Sequence, residues 1–215
     1  MREFFREALP GIERLASLLE AHAVERGLMG PREIERLWER HLVNSGALAS
    51  VLPARGLIMD VGSGAGLPGL VLALQRPDLS FELVDSMKRR TDWLTEASAA
   101  LDLKNVTVTR ARAEDLGDRA DAAAVVSRAV ARLDKLAQWT AGLLAPDGLF
   151  LALKGASAAE ELAESRGVLL KAGLTNAEVI ELRPIAGIEP VRVVKARKRP
   201  DQSPKAQPGQ EKRFT

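Results

Sequence analysis

Residues 58–74 read IMDVGSGAGLPGLVLAL: a short apolar strand pattern ending in an acid, four glycines within eight positions, then an apolar run. A strand, a glycine-rich turn and a helix in that order place a ligand beyond the carboxyl end of a sheet's first strand, where bare backbone allows close approach. Two templates overlap in this turn. Gly64, Gly66 and Gly69 form G-x-G-x-x-G, the dinucleotide fingerprint that seats a pyrophosphate on a helix N-terminus. Asp60, Gly62, Gly64 and Gly66 form D-x-G-x-G-x-G, which suits S-adenosylmethionine.

Other features favour the second template. Asp60, at the strand end, attracts the ammonium of an amino-acid moiety and repels a pyrophosphate. Pro68 in a first helical turn leaves residues 62–66 as the tight part of the loop. Asp85 closes the next strand nineteen residues after Gly66, where it can accept hydrogen bonds from both ribose hydroxyls, a feature common to both templates. The chain has no tyrosine, so the proton donor of a short-chain dehydrogenase is missing.

Outward from this turn, strand patterns at 57–61, 81–85, 106–109, 122–127 and 148–153 alternate with helical stretches at 67–75, 87–101, 132–144 and 157–172. That alternation predicts a parallel sheet covered on both faces. Two further strands, near 178–183 and 191–196, are joined by RPIAGIEP with no room for a helix, so they form an antiparallel hairpin at the sheet edge. The expected fold is α/β: the seven-stranded, Rossmann-like class I S-adenosylmethionine-dependent methyltransferase fold. Upstream, residues 2–26 carry apolar side chains at helical spacing, and a second helix follows Gly30-Pro31. The expected organisation is an N-terminal helical extension (1–52), a methyltransferase domain (53–197) and a basic tail (198–215).

The 215 residues are 46% hydrophobic, enough for one sizeable core. With no cysteine, disulfides, thiolate metal sites and cysteine nucleophiles are excluded, and a reducing, cytoplasmic setting is expected. Two histidines, His22 and His41, are a thin stock for acid–base chemistry, and no metal site is expected. No apolar run is long enough to cross a bilayer. The net charge of +2 hides an asymmetry, because residues 195–215 carry seven basic against two acidic side chains, leaving the rest at about −3. The tail has almost nothing to bury, so disorder is expected there, serving either solubility or RNA contact.

Further candidates follow the later strands. Glu114 in ARAEDL either faces an adenine amino group or caps a helix. Arg128, at the end of the fourth strand, either pairs with a structural carboxylate or holds an anion or base. Lys154, ending the fifth, is either a solvated boundary or a site residue. His41 either packs its helix onto the sheet or contacts RNA, and Arg40 is a phosphate candidate or surface charge. The run KRR at 88–90 (Lys88, Arg89 and Arg90) opens a helix just after Asp85, as a solvated face or as phosphate contacts. Without cysteine, C5 methylation of pyrimidines is excluded, and SRAV stands where exocyclic-amine methyltransferases carry [DN]-P-P-[YF]. Nitrogen 7 of guanine has a free lone pair and needs no base, which is compatible with so sparse a set of side chains. A small-molecule acceptor, or a non-catalytic RNA-binding module of this fold, stays open on these grounds.

LWERHLVNS (37–45), DVGSGAGLPGLVLA (60–73), LVDSMKRRTDWL (83–94), RAEDL (112–116), SRAVARL (127–133) and LALKG (151–155) together resemble the glucose-inhibited division B family, over roughly residues 10–197. The resemblance implies a bacterial methyltransferase that modifies nitrogen 7 of a guanine in the decoding region of small-subunit ribosomal RNA, using S-adenosylmethionine. It implies cofactor contacts at Gly62, Leu67, Ala113, Glu114 and Arg128. The implied partner is small-subunit ribosomal RNA or the small ribosomal particle, with no DNA or membrane, and nothing demands a dimer, so a monomer is expected. Two departures stand out. Asn44 replaces an aspartate common in the motif, removing a charge partner for Arg40 or His41. ERGLMG (25–30) replaces a Tyr-Asn-Leu-Thr stretch.

Overall fold

The computed structural model describes residues 1–128 and 130–200. Seven strands form one sheet: β1 (Leu57–Val61), β2 (Ser80–Asp85), β3 (Val106–Arg110), β4 (Ala122–Arg128), β5 (Leu144–Lys154), β6 (Leu174–Leu182) and β7 (Val191–Lys198). Their order is β3-β2-β1-β4-β5-β7-β6. The first five run parallel, and β7 is antiparallel to both β5 and β6. The chain reverses its direction of travel across the sheet between β1 and β4, so their carboxyl ends border the crevice where ligands of such sheets bind.

Four helices cover the sheet: Gly69–Gln75, Lys88–Ala100, Leu133–Thr140 and Ala158–Lys171. The central strands are buried on both faces, which is why LIMDV and AAAVVS read as near-continuous apolar runs. One face packs Ile58, Leu70, Phe81, Leu83 and Trp93 against Ile12, Leu15, Leu19, Leu37 and Leu42 of the N-terminal helices. The helical segment therefore shares a core with the sheet. The opposite face centres on Met59, Val61, Val125, Leu136 and Phe150.

The N-terminal helices depart from the expected continuous ones. Residues 2–26 divide into Arg2–Phe5, a 3-10 turn at Arg6–Ala8 and a helix at Leu9–His22. Arg6 takes a positive φ of 48°, and Pro10 stands in the first turn of the longer helix, where its missing N–H breaks no helical bond. Beyond Pro31 the chain makes a short helix, Pro31–Ile34, a π-helical stretch, Leu37–Val43, and two more short turns to Val51. The helix after β1 begins at Gly69, with Pro68 in the capping position rather than inside the first turn. The expected tail falls mostly on residues 201–215, outside the described residues. Among the described residues, no helix is long and apolar enough to cross a membrane.

Candidate functional site

The glycine loop is held from three sides. Gly62 and Ser63 donate their N–H groups to Val84 O, at 2.8 and 3.1 Å, tying the loop to β2. Ser63 Oγ donates to Asp60 O at 2.8 Å, and Trp93 Nε1 donates to Ala65 O at 3.1 Å from the helix behind. Ser127 Oγ, on β4, donates to Val61 O at 2.9 Å. A pocket of about 490 Å³ opens above this frame, lined by Leu28, Met29 and Glu33 on one side and Gly62–Ala65, Leu67, Arg90 and Arg128 on the other.

The two central glycines differ in role. Gly64 has φ +55°, and a Cβ there would meet only Gly62 O, at 3.8 Å: the space in front of it is open. Gly66 has φ +94°, and a Cβ there would stand 2.3 Å from Leu70 Cδ1, inside the core. Gly64 thus faces open space, while Gly66 allows packing.

Asp60 is fully buried. Its Oδ2 accepts the Gly69 N–H at 2.9 Å, so it braces the start of the next helix, while Oδ1 has no partner among the described residues. Burial raises its pKa to about 7. Asp85, also buried, accepts the Gly64 N–H on Oδ2 at 3.0 Å and the Met87 N–H on Oδ1 at 2.9 Å. Arg90 Nη1 adds a 3.3 Å contact to Oδ2. A buried carboxylate needs such donors, so Asp85 reaches a ribose only through its remaining lone pairs or by exchanging Arg90.

Arg128 projects from the end of β4 into the pocket wall. Its Nη2 contacts His41 Nδ1 at 2.5 Å and donates to Arg40 O at 3.3 Å, while Nη1 is buried without a partner among the described residues. Burial lowers its pKa to about 10, still cationic at neutral pH. His41, at 5% exposure, has Nε2 2.7 Å from Glu33 Oε2. Burial and then Arg128 lower its pKa to about 4, so the ring is neutral. Glu33 thereby supplies a carboxylate to His41 in a chain where Asn44 cannot.

Other expected residues lie further out. Lys154 is neither solvated nor pocket-lining: with 10% of its side chain exposed, its Nζ donates to Ala131 O and Glu161 Oε1, each at 2.9 Å. Glu161 also accepts the Leu133 N–H, so this cluster anchors the segment that follows Arg128. Ala113 is buried, and Glu114 is exposed in the 3-10 turn Ala113–Leu116 after β3. Lys88 pairs with Asp92 at 2.7 Å, and Arg89 reaches Gly27 O at 3.4 Å. Arg40 is exposed. Glu33 lies outside the sequence motifs; Arg90 belongs to the KRR run of LVDSMKRRTDWL, a phosphate candidate by sequence, and Leu28 and Met29 fall in ERGLMG, from which no contact is expected. Among the described residues, no cluster of His, Cys, Asp or Glu is arranged to hold a metal ion.

Open space before Gly64 and the buried Arg128 in the pocket wall suit a small ligand with an anionic group, whereas Asp60, expected to attract the ammonium, lies wholly beneath the loop and outside the pocket lining, braced on Gly69. Sheet order, edge hairpin and glycine loop define the class I S-adenosylmethionine-dependent methyltransferase fold. The structure of M. jannaschii TYW2 in complex with AdoMet superimposes with a TM-score of 0.58 at 18% identity, covering 75% of this chain and 76% of that one. Residues 9–185 match the family described as GidB, rRNA small subunit methyltransferase G, and the chain belongs to that family. Ribosomal RNA small subunit methyltransferase G of Beutenbergia cavernae is 47% identical over 198 residues, spanning 92% of this chain and 93% of its own. The protein of that name from Mycobacterium sp. (strain JLS) is 44% identical over 212 residues, spanning 97% and 94%.

Proposed function

We propose that this chain transfers a methyl group from S-adenosylmethionine to nitrogen 7 of a guanine in small-subunit ribosomal RNA, acting in the cytoplasm as a monomer on the RNA or the small ribosomal particle. Its 1–52 segment is the helical extension, and its 53–197 segment is the methyltransferase domain. The supporting observation is the pocket walled by Gly62–Ala65, Leu67, Arg90 and Arg128 in a member of the rRNA small subunit methyltransferase G family.

When bound, S-adenosylmethionine supplies an electrophilic methyl carbon on a sulfonium. The glycine loop would hold its amino-acid end, with Gly64 in closest approach. Asp85 would accept from the ribose, and the Ala113–Glu114 turn would flank the adenine. Asp60 keeps the loop in shape through Gly69. Arg128 would offer its free Nη1 to the incoming base or to the ligand's carboxylate, and a fixed cation beside the acceptor serves alignment, on which an in-line displacement depends. The guanine nitrogen brings its own lone pair, so no general base is required of the chain. Arg40, Lys88 and Arg89 would serve as phosphate contacts outside the pocket, which set register rather than sequence. Lys154 acts through the segment it anchors.

The test is transfer of tritiated methyl groups to small ribosomal particles from a strain lacking this activity, with strand cleavage at 7-methylguanine to locate the product. Label in a single guanine is expected. Label only in small molecules, or none with a cofactor-loaded protein, would overturn the reading.

A further inference from the structure

Glu33 sits in the short helix Pro31–Ile34 and belongs to none of the motifs of the chain. Its Oε2 lies 2.7 Å from His41 Nε2, a close rather than well-aligned approach of the kind that tightens when a site is filled. On the other side of the ring, Nδ1 lies 2.5 Å from Arg128 Nη2. A guanidinium can only donate, and an ionised carboxylate can only accept. The imidazole between them is buried and carries a single proton. It satisfies both neighbours in one tautomer alone, with the proton on Nε2 toward Glu33 and the lone pair on Nδ1 toward Arg128.

We infer that Glu33 is a positioning residue: it holds His41 as the Nε2–H tautomer, and His41 thereby fixes Arg128 so that Nη1 is the donor left for the ligand of the pocket. Glu33, His41 and Arg128 all line that pocket. The N-terminal helices thus do more than cover the sheet, because they reach across to set an arginine that β4 delivers. The carboxylate that performs this lies eleven residues upstream of Asn44. The ligand's identity rests on the proposed function; the tautomer is a property of this chain by itself.

The experiment uses the full chain labelled with nitrogen-15 at histidine, with His41 distinguished from His22 by His41→Gln. Long-range proton–nitrogen spectra of the wild type at neutral pH should show His41 with Nδ1 unprotonated and Nε2 protonated. Glu33→Ala should give a mixture of tautomers. It should also lower kcat for methyl transfer to small ribosomal particles by about 10–100-fold, the scale of a misplaced reacting group, while KM for the particle moves less than about threefold. Glu33→Gln retains an acceptor oxygen, and should restore the Nε2–H tautomer and most of the turnover. A wild-type Nδ1–H tautomer, or a Glu33→Ala variant with unchanged spectrum and unchanged kcat, overturns the inference. If the wild type methylates no RNA, the proposed function fails, and the spectra still decide the role of Glu33.

Discussion

Replacing Gly64 by alanine separates what the glycine loop does for the fold from what it does for a ligand. At φ +55° an alanine sits in the left-handed region, at a cost of about 1–2 kcal/mol. No steric cost is added, since the new methyl meets only Gly62 O at 3.8 Å. For a chain of this size that lowers Tm by about 2–8 °C. The methyl group projects into the space where the ligand's backbone contacts would form. At saturation of about 100 Kd, S-adenosylhomocysteine should stabilise the wild type by about 2.7 kcal/mol, or roughly 5–11 °C. A hundredfold weaker Kd in Gly64→Ala would leave only about 0.4 kcal/mol at the same concentration.

Gly66→Ala is the counterpart. Its methyl would stand 2.3 Å from Leu70 Cδ1 and 3.3 Å from Leu94 Cδ2, so overpacking of about 1–3 kcal/mol adds to the strain of φ +94°. A larger loss of Tm is expected, with the ligand-induced shift preserved in whatever fraction folds. Thermal melts with and without S-adenosylhomocysteine, backed by calorimetric titration, read both quantities. The reasoning is refuted if Gly64→Ala retains the full ligand shift, or if Gly66→Ala melts near the wild type and loses that shift.

Arg119→Ala should be costly away from the pocket: it strips buried Glu82 of contacts at 2.9 and 2.8 Å, leaving only Thr109 Oγ1. Because Arg119 is about a third exposed, a loss of about 1–3 kcal/mol by denaturant titration is expected, and under about 0.5 kcal/mol would show the pair is dispensable. Arg128→Met should keep the fold and abolish turnover; normal methyl transfer would remove Arg128 from the site. Lys154→Met leaves Glu161 and Ala131 O without their shared donor, so stability should fall by about 1–3 kcal/mol and kcat should fall with little change in cofactor affinity. A change in cofactor affinity alone would place Lys154 in contact with the ligand. Two buried groups give opposite pH slopes. Asp60, with its folded pKa raised to about 7, binds its proton more tightly folded than unfolded, so its contribution is full below about 4 and is lost as pH rises to 7. His41, lowered to about 4, contributes stability above its unfolded value near 6.5 that is lost as pH falls toward 4. Relative to the wild type, Tm between pH 4 and 6.5 should therefore rise more steeply with pH in Asp60→Asn and less steeply in His41→Gln; parallel profiles would contradict both assignments.

The central strands were legible because burial on both faces leaves mostly apolar runs, and β1 matches its expected bounds, 57–61, to the residue. The pairing of β6 with β7 was legible for a different reason: eight residues between them leave no length for a crossover. The N-terminal segment was harder. Its apolar spacing shows which side faces the sheet, but a spacing of three to four residues tolerates α, 3-10 and π turns alike, so the break near Arg6 and the π-helical turn carrying His41 leave no periodic trace. The same limit applied at the site. Asp60, Asp85 and Arg128 announced themselves by standing at strand ends, yet sequence position does not reveal which oxygen the protein itself occupies. Gly69 lies nine residues beyond Asp60 and Gly64 twenty-one before Asp85, and both claim carboxylate oxygens through backbone N–H groups that every residue type except proline carries. Glu33 and Arg90 come from segments that reach the pocket only after the chain has folded over β1 and β2. The motif marks where a ligand can approach. The donors and acceptors that shape its charge are fixed by contacts between distant segments, and those become visible only in three dimensions.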